Sequence, residues 1–239
     1  NYTITPIKGE LEVTVSTKKV TVTIEGHTDS KVYDGEQHTV TGYDVVSISS
    51  KLYTEDDFSF DGKNNTVTGT DASDDLYKMG LSDANFKNTN GNFSNVEFVV
   101  VDGWLKINPR PVTLKAMDNN VTYDGQPHGA NLNNDGKIEK DISYTITNLV
   151  DGQHVETVTI SGSQTAVGDY PEELKPSNAK IVDDVTGENM TDNYEITYVT
   201  GDLHILPLGT VVVEIRGIVK TETYNGTQYE VDGYVATIK

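Results

Sequence analysis

Five histidines, several paired aspartates and a single tryptophan are the residues of this 239-residue chain best placed to do chemistry. His38 and His128 stand at the same offset behind Tyr33-Asp34-Gly35 and Tyr123-Asp124-Gly125. An imidazole held at a repeated position could act as a ligand or a base. A third copy of the motif, Tyr224-Asn225-Gly226, carries Tyr229 at that offset. A position that accepts His or Tyr reads as half-buried packing with a polar tip. His27, His154 and His204 are isolated in sequence, and no His-x-x-x-His or Glu-x-x-His spacing offers a metal-binding pair.

Three acidic clusters sit in expected loops: Asp56-Asp57, Asp71 with Asp74-Asp75, and Asp183-Asp184. Calcium takes such oxygen-rich loops, and solvated loop charge is the competing reading. Asn131-x-Asn133-x-Asp135-Gly136 imitates the start of an EF-hand loop but has Ile142 where the bidentate glutamate belongs. No Gly-x-Ser-x-Gly elbow and no Gly-rich phosphate loop appears. The absence of cysteine removes thiol catalysis, disulfides and Cys-ligated zinc. A Lys–Asn or Lys–Asp isopeptide bond is open to a cysteine-free domain, but sequence selects no trio for it. No catalytic residue, cofactor-binding residue or metal ligand is therefore assigned, and the chain is read as a non-enzyme.

The elements that must carry these residues follow from composition and repetition. Formal net charge is −19, spread over both halves of the chain, which disfavours binding to nucleic-acid phosphates. No apolar run is long enough to insert in a membrane. Val, Ile, Thr and Tyr are abundant and occur in period-two runs, as in Val20-Thr21-Val22-Thr23-Ile24 and Val213-Glu214-Ile215. Such alternation predicts strands with one buried face. The Tyr-Asp/Asn-Gly motif recurs at intervals of 90 and 101 residues. A second landmark keeps pace: Asn1-Tyr2 with Gly9-Glu10-Leu11, Asn92-Phe93 with Gly103-Trp104-Leu105, and Asn193-Tyr194 with Gly201-Asp202-Leu203. Gly26 and Gly217 each precede their tyrosine by seven residues.

These landmarks divide the chain into 1–16, the final strands of one repeat; 17–108 and 109–207, two full repeats; and 208–239, the start of another. The Asp-Gly and Asn-Gly pairs are expected to form type I′ hairpin turns. Thr54–Phe58 and Ser82–Phe86 carry Ser/Thr caps and predict helical turns of minimal length, with Pro176–Lys180 as the matching segment of the second repeat. Prolines at Asn108-Pro109-Arg110-Pro111 and Leu206-Pro207-Leu208-Gly209 mark short stiff joints. The expectation is all-β: tandem immunoglobulin-like β-sandwich repeats in an elongated, monomeric rod, with β-grasp-like repeats as the alternative.

The series Val32-Tyr33-Asp34-Gly35-x-x-His38, Tyr53-Thr54-x-x-Asp57-Phe58, Thr68-Gly69-Thr70-x-Ala72, Met79-x-Leu81, Asn92-Phe93 and Asp102-Gly103-x-Leu105-x-Ile107 resembles the MBG/YDG-type repeats of large bacterial surface proteins. The resemblance covers nearly all of the first repeat, the ends of the second and what there is of the last. It implies an extracellular, cell-wall-anchored adhesin of the kind found in gut Firmicutes. It implies no catalytic set. The partners it suggests are a host or matrix protein or glycan, including mucin or immunoglobulin; a stalk that projects a distal binding domain is the alternative. Trp104 stands where the other copies have Glu10 and Asp202, and points away from Leu105 and Ile107 in the strand pattern. Trp104, with Tyr53 and Phe58 in the divergent 52–60 segment, forms the candidate partner contact.

Overall fold

The computed structural model describes residues 1–5, 7–129 and 143–239. Among these the regular elements are strands and three short 3-10 turns, with no α-helix, so the chain is all-β. It divides into two compact units. The first comprises Asn1–Val112, Asn148–His154 and Ile181–Ile196; the second comprises Thr113–Thr147, Val155–Lys180 and Thr197–Lys239. The mock EF-hand segment 131–142 lies outside the described residues.

The first sequence repeat supplies β1 (Val20–Gly26), β2 (Thr28–Val32), β3 (His38–Thr41), β4 (Tyr43–Ile48), β5 (Phe58–Phe60), β6 (Thr66–Gly69), β7 (Tyr77–Lys78), β8 (Phe86–Asn88), β9 (Val96–Val101) and β10 (Trp104–Asn108). One sheet has the order β4-β1-β9 and another β2-β10-β7. β1 runs antiparallel to β4 but parallel to β9, with Val22 opposite Phe98. β2 is likewise parallel to β10, with Asp29 opposite Leu105. Val20, Val22 and Ile24 are buried while Thr21 and Thr23 are half-buried, as the alternation requires. Each such aliphatic side chain contributes about 1.5–3 kcal/mol by leaving water. Phe86 gathers Tyr43, Phe58, Phe60 and Phe98 around it, with ring centroids 5.1–6.1 Å away.

The second sequence repeat supplies β11 (Arg110–Ala116), β12 (Asn119–Thr122), β13 (His128–Gly129), β14 (Tyr144–Thr147), β15 (Gln153–Ser161), β16 (Ser163–Gln164), β17 (Gly168–Asp183), β18 (Tyr194–Val199) and β19 (Gly201–Leu206). The pairing order repeats: β14-β11-β18 matches β4-β1-β9. β12 runs parallel to β19, with Asn119 opposite Leu203. The β13–β16 pair matches β3–β6. Two further strands, β20 (Val213–Gly217) and β21 (Tyr234–Ile238), form a hairpin with Gly217 opposite Tyr234, as Gly26 lies opposite Tyr43.

Glycine fixes the point where this topology turns over. Between β1 and β2, and between β9 and β10, the chain leaves one sheet for the other. The two crossings meet at Gly26 and Gly103. A Cβ on Gly26 would lie 2.6 Å from the Gly103 Cα, and one on Gly103 would lie 2.6 Å from the His27 carbonyl oxygen. Only residues without a side chain permit that approach. Backbone bonds tie it: Trp104 N–H donates to His27 O at 3.1 Å and Met79 N–H to Gly103 O at 3.0 Å. In the second unit a Cβ on Gly201 would meet the Ala116 oxygen at 2.6 Å, so the closing glycine is retained while the opening one is Ala116, fully buried.

Two local expectations are corrected. The Tyr-Asp-Gly motif does not close a hairpin: β2 pairs with β10 and β3 with β6. Gly35, Gly125 and Gly226 take positive φ while the preceding Asp or Asn does not, which rules out a type I′ turn. Asp34 Oδ1 instead accepts the Glu36 N–H at 2.9 Å, an Asx turn that carries the chain out of one sheet. Pro176–Lys180 is not a helical turn but part of β17, with Asn178 at φ 51°. The minimal turns at Glu55–Asp57 and Asp83–Asn85 form as capped 3-10 turns; the second repeat has its own at Thr191–Asn193.

A Cβ at Gly103 would meet the Met79 side chain, which can move, but also the His27 carbonyl oxygen at 2.6 Å, which cannot, so Gly103→Ala should destabilise the first unit by about 1–3 kcal/mol, the range for overpacking. Urea unfolding followed by the single tryptophan, Trp104, reads this directly. Loss below about 0.5 kcal/mol would mean the crossing is not tight.

Candidate functional site

A buried polar constellation in the first unit is centred on Tyr33 of the first Tyr-Asp-Gly motif. β2 delivers Tyr33, which is held by its N–H to the Asn108 oxygen at 2.9 Å and is 2% exposed. Its ring meets Tyr194 edge-on, with centroids 5.5 Å apart and planes at 81°. Gln153 bridges the two phenols: its Nε2 donates to the Tyr33 hydroxyl at 2.8 Å, and the Tyr194 hydroxyl donates to its Oε1 at 2.6 Å. Val150 N–H also donates to the Tyr194 hydroxyl, at 3.2 Å. Beside them Asn193, itself buried, donates to Asp71 Oδ1 at 3.0 Å and accepts the Ala72 N–H at 2.6 Å. Arg110 binds Asn148 through Nε and Nη2, at 2.6 and 2.9 Å, and Asn148 takes φ 68° to receive it.

This constellation ties residues of the first sequence repeat (Tyr33, Asp71, Ala72) to residues of the second (Asn148, Gln153, Asn193, Tyr194). Every buried side-chain polar atom described has a partner. Burial pushes the Tyr194 phenol up to about 12, with the Val150 N–H opposing the shift. The neutral phenol is thus the folded form, and its contribution to stability is lost as pH climbs from the ordinary tyrosine range near 10 through that value.

Two open clefts flank the constellation. One, of about 450 Å³, is lined by Asp34, Glu36, Arg110, Val150, Gln153 and Asp183. The other, of about 560 Å³, is lined by Ala72, Asp74, Pro109, Asp192, Tyr194 and Ile196. Their carboxylates include structural ones. Asp34 caps its own turn and pairs with His38 at 3.0 Å, and the Glu36 amide holds its carboxyl below the usual range. Asp183 accepts the Thr186 N–H and hydroxyl and then the Val185 N–H, which together hold its carboxyl below the usual range. Away from both clefts, Asp57 caps a 3-10 turn and binds Asn90 at 2.7 Å, and the Thr54 amide lowers it most. No group of three or more His, Asp or Glu that could hold a metal occurs among the described residues.

All five histidines face an aspartate: His27–Asp44, His38–Asp34, His128–Asp124, His154–Asp184 and His204–Asp169. His38 and His128 occupy matching half-buried places, each locking its turn at i,i+4. Tyr229, at the same offset, donates its hydroxyl to the Thr223 oxygen at 2.8 Å. The Thr41 carbonyl, then Asp44, raises His27; Asp169 raises His204.

The three candidate contact residues fall in different places. Tyr53 is 2% exposed; its hydroxyl bonds Asn88 Oδ1 at 2.9 Å and its ring packs on Phe93. It is committed to the interior, which corrects its reading as a contact. Phe58 is half-buried and packs against Phe86 and Phe98. Trp104 is half-buried on β10 between Thr28 of β2 and Lys78 of β7. The structure does not bring the three into one surface patch by any ring contact described. The Tyr33–Gln153–Tyr194 constellation escaped sequence reasoning. Its one signal was the repeated tyrosine, since Gln153 is 120 residues away and carries no motif. Protein-family models, curated proteins and solved structures yield no match to the chain.

Truncating Tyr33→Phe leaves the Gln153 amide short of an acceptor and should cost about 1–3 kcal/mol. Gln153→Leu should cost a similar amount, and the double variant should show coupling of about 0.5–3 kcal/mol. Denaturant unfolding at neutral pH supplies the cycle; additive losses would show that the two groups do not act together.

Proposed function

We propose that this chain is a run of non-catalytic, extracellular surface repeats of adhesin type whose own role is structural: tandem sandwich-like modules that hold a binding region away from a bacterial cell wall. The observation that carries the reading is the Tyr33–Gln153–Tyr194 constellation. The most distinctive residue of the repeated motif is spent on joining one sequence repeat to the next. The conspicuous side chains point the same way. The histidines brace turns or strands through aspartates, and Tyr53 and Phe58 pack inward. A chain without cysteine, carrying dispersed negative charge and proline at its joints, suits a self-repelling spacer outside a cell. The sequence resemblance to MBG/YDG-type repeats supports the same assignment. Direct recognition of a host or matrix protein or glycan is the competing role; Trp104, at a position acidic in the other copies, is the residue that favours it.

Biosensor binding of the folded 239-residue chain to mucin, immunoglobulin and matrix proteins separates the two roles. The structural role predicts no saturable binding to any of them. Saturable binding abolished by Trp104→Ala, with the unfolding midpoint unchanged, would replace it with direct recognition.

A further inference from the structure

The two ends of the first repeat lie side by side. β1 and β2 form an opening arm, residues 20–32, and β9 and β10 a closing arm, residues 96–108. β1 runs parallel to β9 over six register pairs, from Val20 opposite Val96 to Glu25 opposite Val101. β2 runs parallel to β10 over five, from Thr28 opposite Trp104 to Val32 opposite Asn108. Neither arm gains or loses a residue at the glycine crossing, so both ladders share one register. Main-chain bonds close the ladders at each end. Where the opening arm begins, Ser16 N–H donates to Asn92 O at 2.8 Å and Val20 N–H to Asn95 O at 2.9 Å. Where the closing arm ends, Tyr33 N–H donates to Asn108 O at 2.9 Å.

Direction decides what such a ladder does under tension. The chain enters this repeat at the start of the opening arm and leaves it at the end of the closing arm. Because the arms are parallel, drawing those two points apart pulls the arms lengthwise past each other. All the bonds between them are then strained together. An antiparallel pair loaded at one shared end behaves differently. β1 and β4, pulled apart beside Thr21 and Ser49, would open one bond after another.

The crossing adds a stop. Sliding the closing arm forward by one residue brings Asp102 to the place of Gly103, and sliding the opening arm back brings His27 to the place of Gly26. A Cβ in the first place lies 2.6 Å from the His27 oxygen, and one in the second lies 2.6 Å from the Gly103 Cα. Sliding also drags Leu105 and Ile107, both fully buried, out of their places in the core. The second repeat keeps these parts. β12 is parallel to β19 over four register pairs, Tyr123 N–H donates to Leu206 O at 2.8 Å, and Gly201 lies tight against the Ala116 oxygen.

We infer that each complete repeat is a load-bearing module, in which the parallel opening and closing arms carry end-to-end tension in shear and the glycine crossing blocks their sliding. The inference rests on the spacer role proposed above, since a spacer between a cell wall and a bound target is held at both ends. Forced rupture reads the barrier along the pulling direction rather than equilibrium stability. One folded state therefore gives different forces for different handles.

Single-molecule pulling on the whole 239-residue chain tests this. The chain has no cysteine, so an introduced pair provides unique handles. Lys18→Cys with Pro109→Cys loads the two arms lengthwise, whereas Lys18→Cys with Lys51→Cys peels β4 from β1. All three positions are exposed, and both double variants should keep the urea midpoint of the parent. At one pulling speed the first pair should rupture in a single step at a force several-fold above that of the second. Equal forces overturn the inference, and so does a closing arm that yields stepwise under the first pair. The spacer role itself fails elsewhere: saturable binding in the biosensor assay would replace it and leave both rupture forces as they are.

Discussion

Two backbones crossing at van der Waals distance, each moving from one sheet to another, are the constraint from which the rest of this structure follows. At Gly26 and Gly103 the chains pass with no room for a methyl group, and at Ala116 and Gly201 the second unit makes the same crossing with one small side chain admitted. Once opening and closing strands are locked there, their register is fixed on both sides. β1 must lie parallel to β9, and β2 parallel to β10. A slip of one residue would turn Val20, Val22 and Ile24 out of the core and drive Thr21 and Thr23 into it. The crossing therefore selects the buried face as well as the topology.

The Tyr-Asp-Gly turn follows directly after this crossing pair and exports its geometry. Asp34 and His38 brace the turn, so Tyr33 leaves β2 in a fixed direction and meets Gln153 and Tyr194. The matching Asp124–His128 pair sets the second motif in the same way. In both motifs the histidine thus pairs with the aspartate of its own turn. The same economy of parts explains the acidic pairs: Asp57 and Asp183 neutralise exposed backbone N–H groups of tight turns.

Much of the architecture was legible in the residues. The alternation at Val20–Ile24 and Leu105–Ile107 announced half-buried strands, and the recurring Gly26, Gly103 and Gly201 marked the repeat before their packing was known. Parallel pairing between the first and last strands of a repeat was not legible, because alternation specifies a buried face but no neighbour. The Asp-Gly turn misled for a related reason. Positive φ at glycine suits several turn types, and choosing among them depends on where the flanking strands pair, here far apart in sequence. Tyr53 and Phe58 looked available because their segment differs between repeats. Tyr53 is buried and Phe58 half-buried because Asn88 and the aromatic group around Phe86 draw the segment inward. Gln153 had no local signal at all.

Amide hydrogen exchange on the intact chain tests the central claim most directly. The account predicts the slowest exchange at amides that hold or flank the crossings, including those of Trp104, Met79 and His27 in the first unit and Asp202 in the second, with the amides of residues 2–5 and 219–223 exchanging at near-solvent rates. Protection at Trp104 and Asp202 no greater than that of residues 2–5 would contradict it.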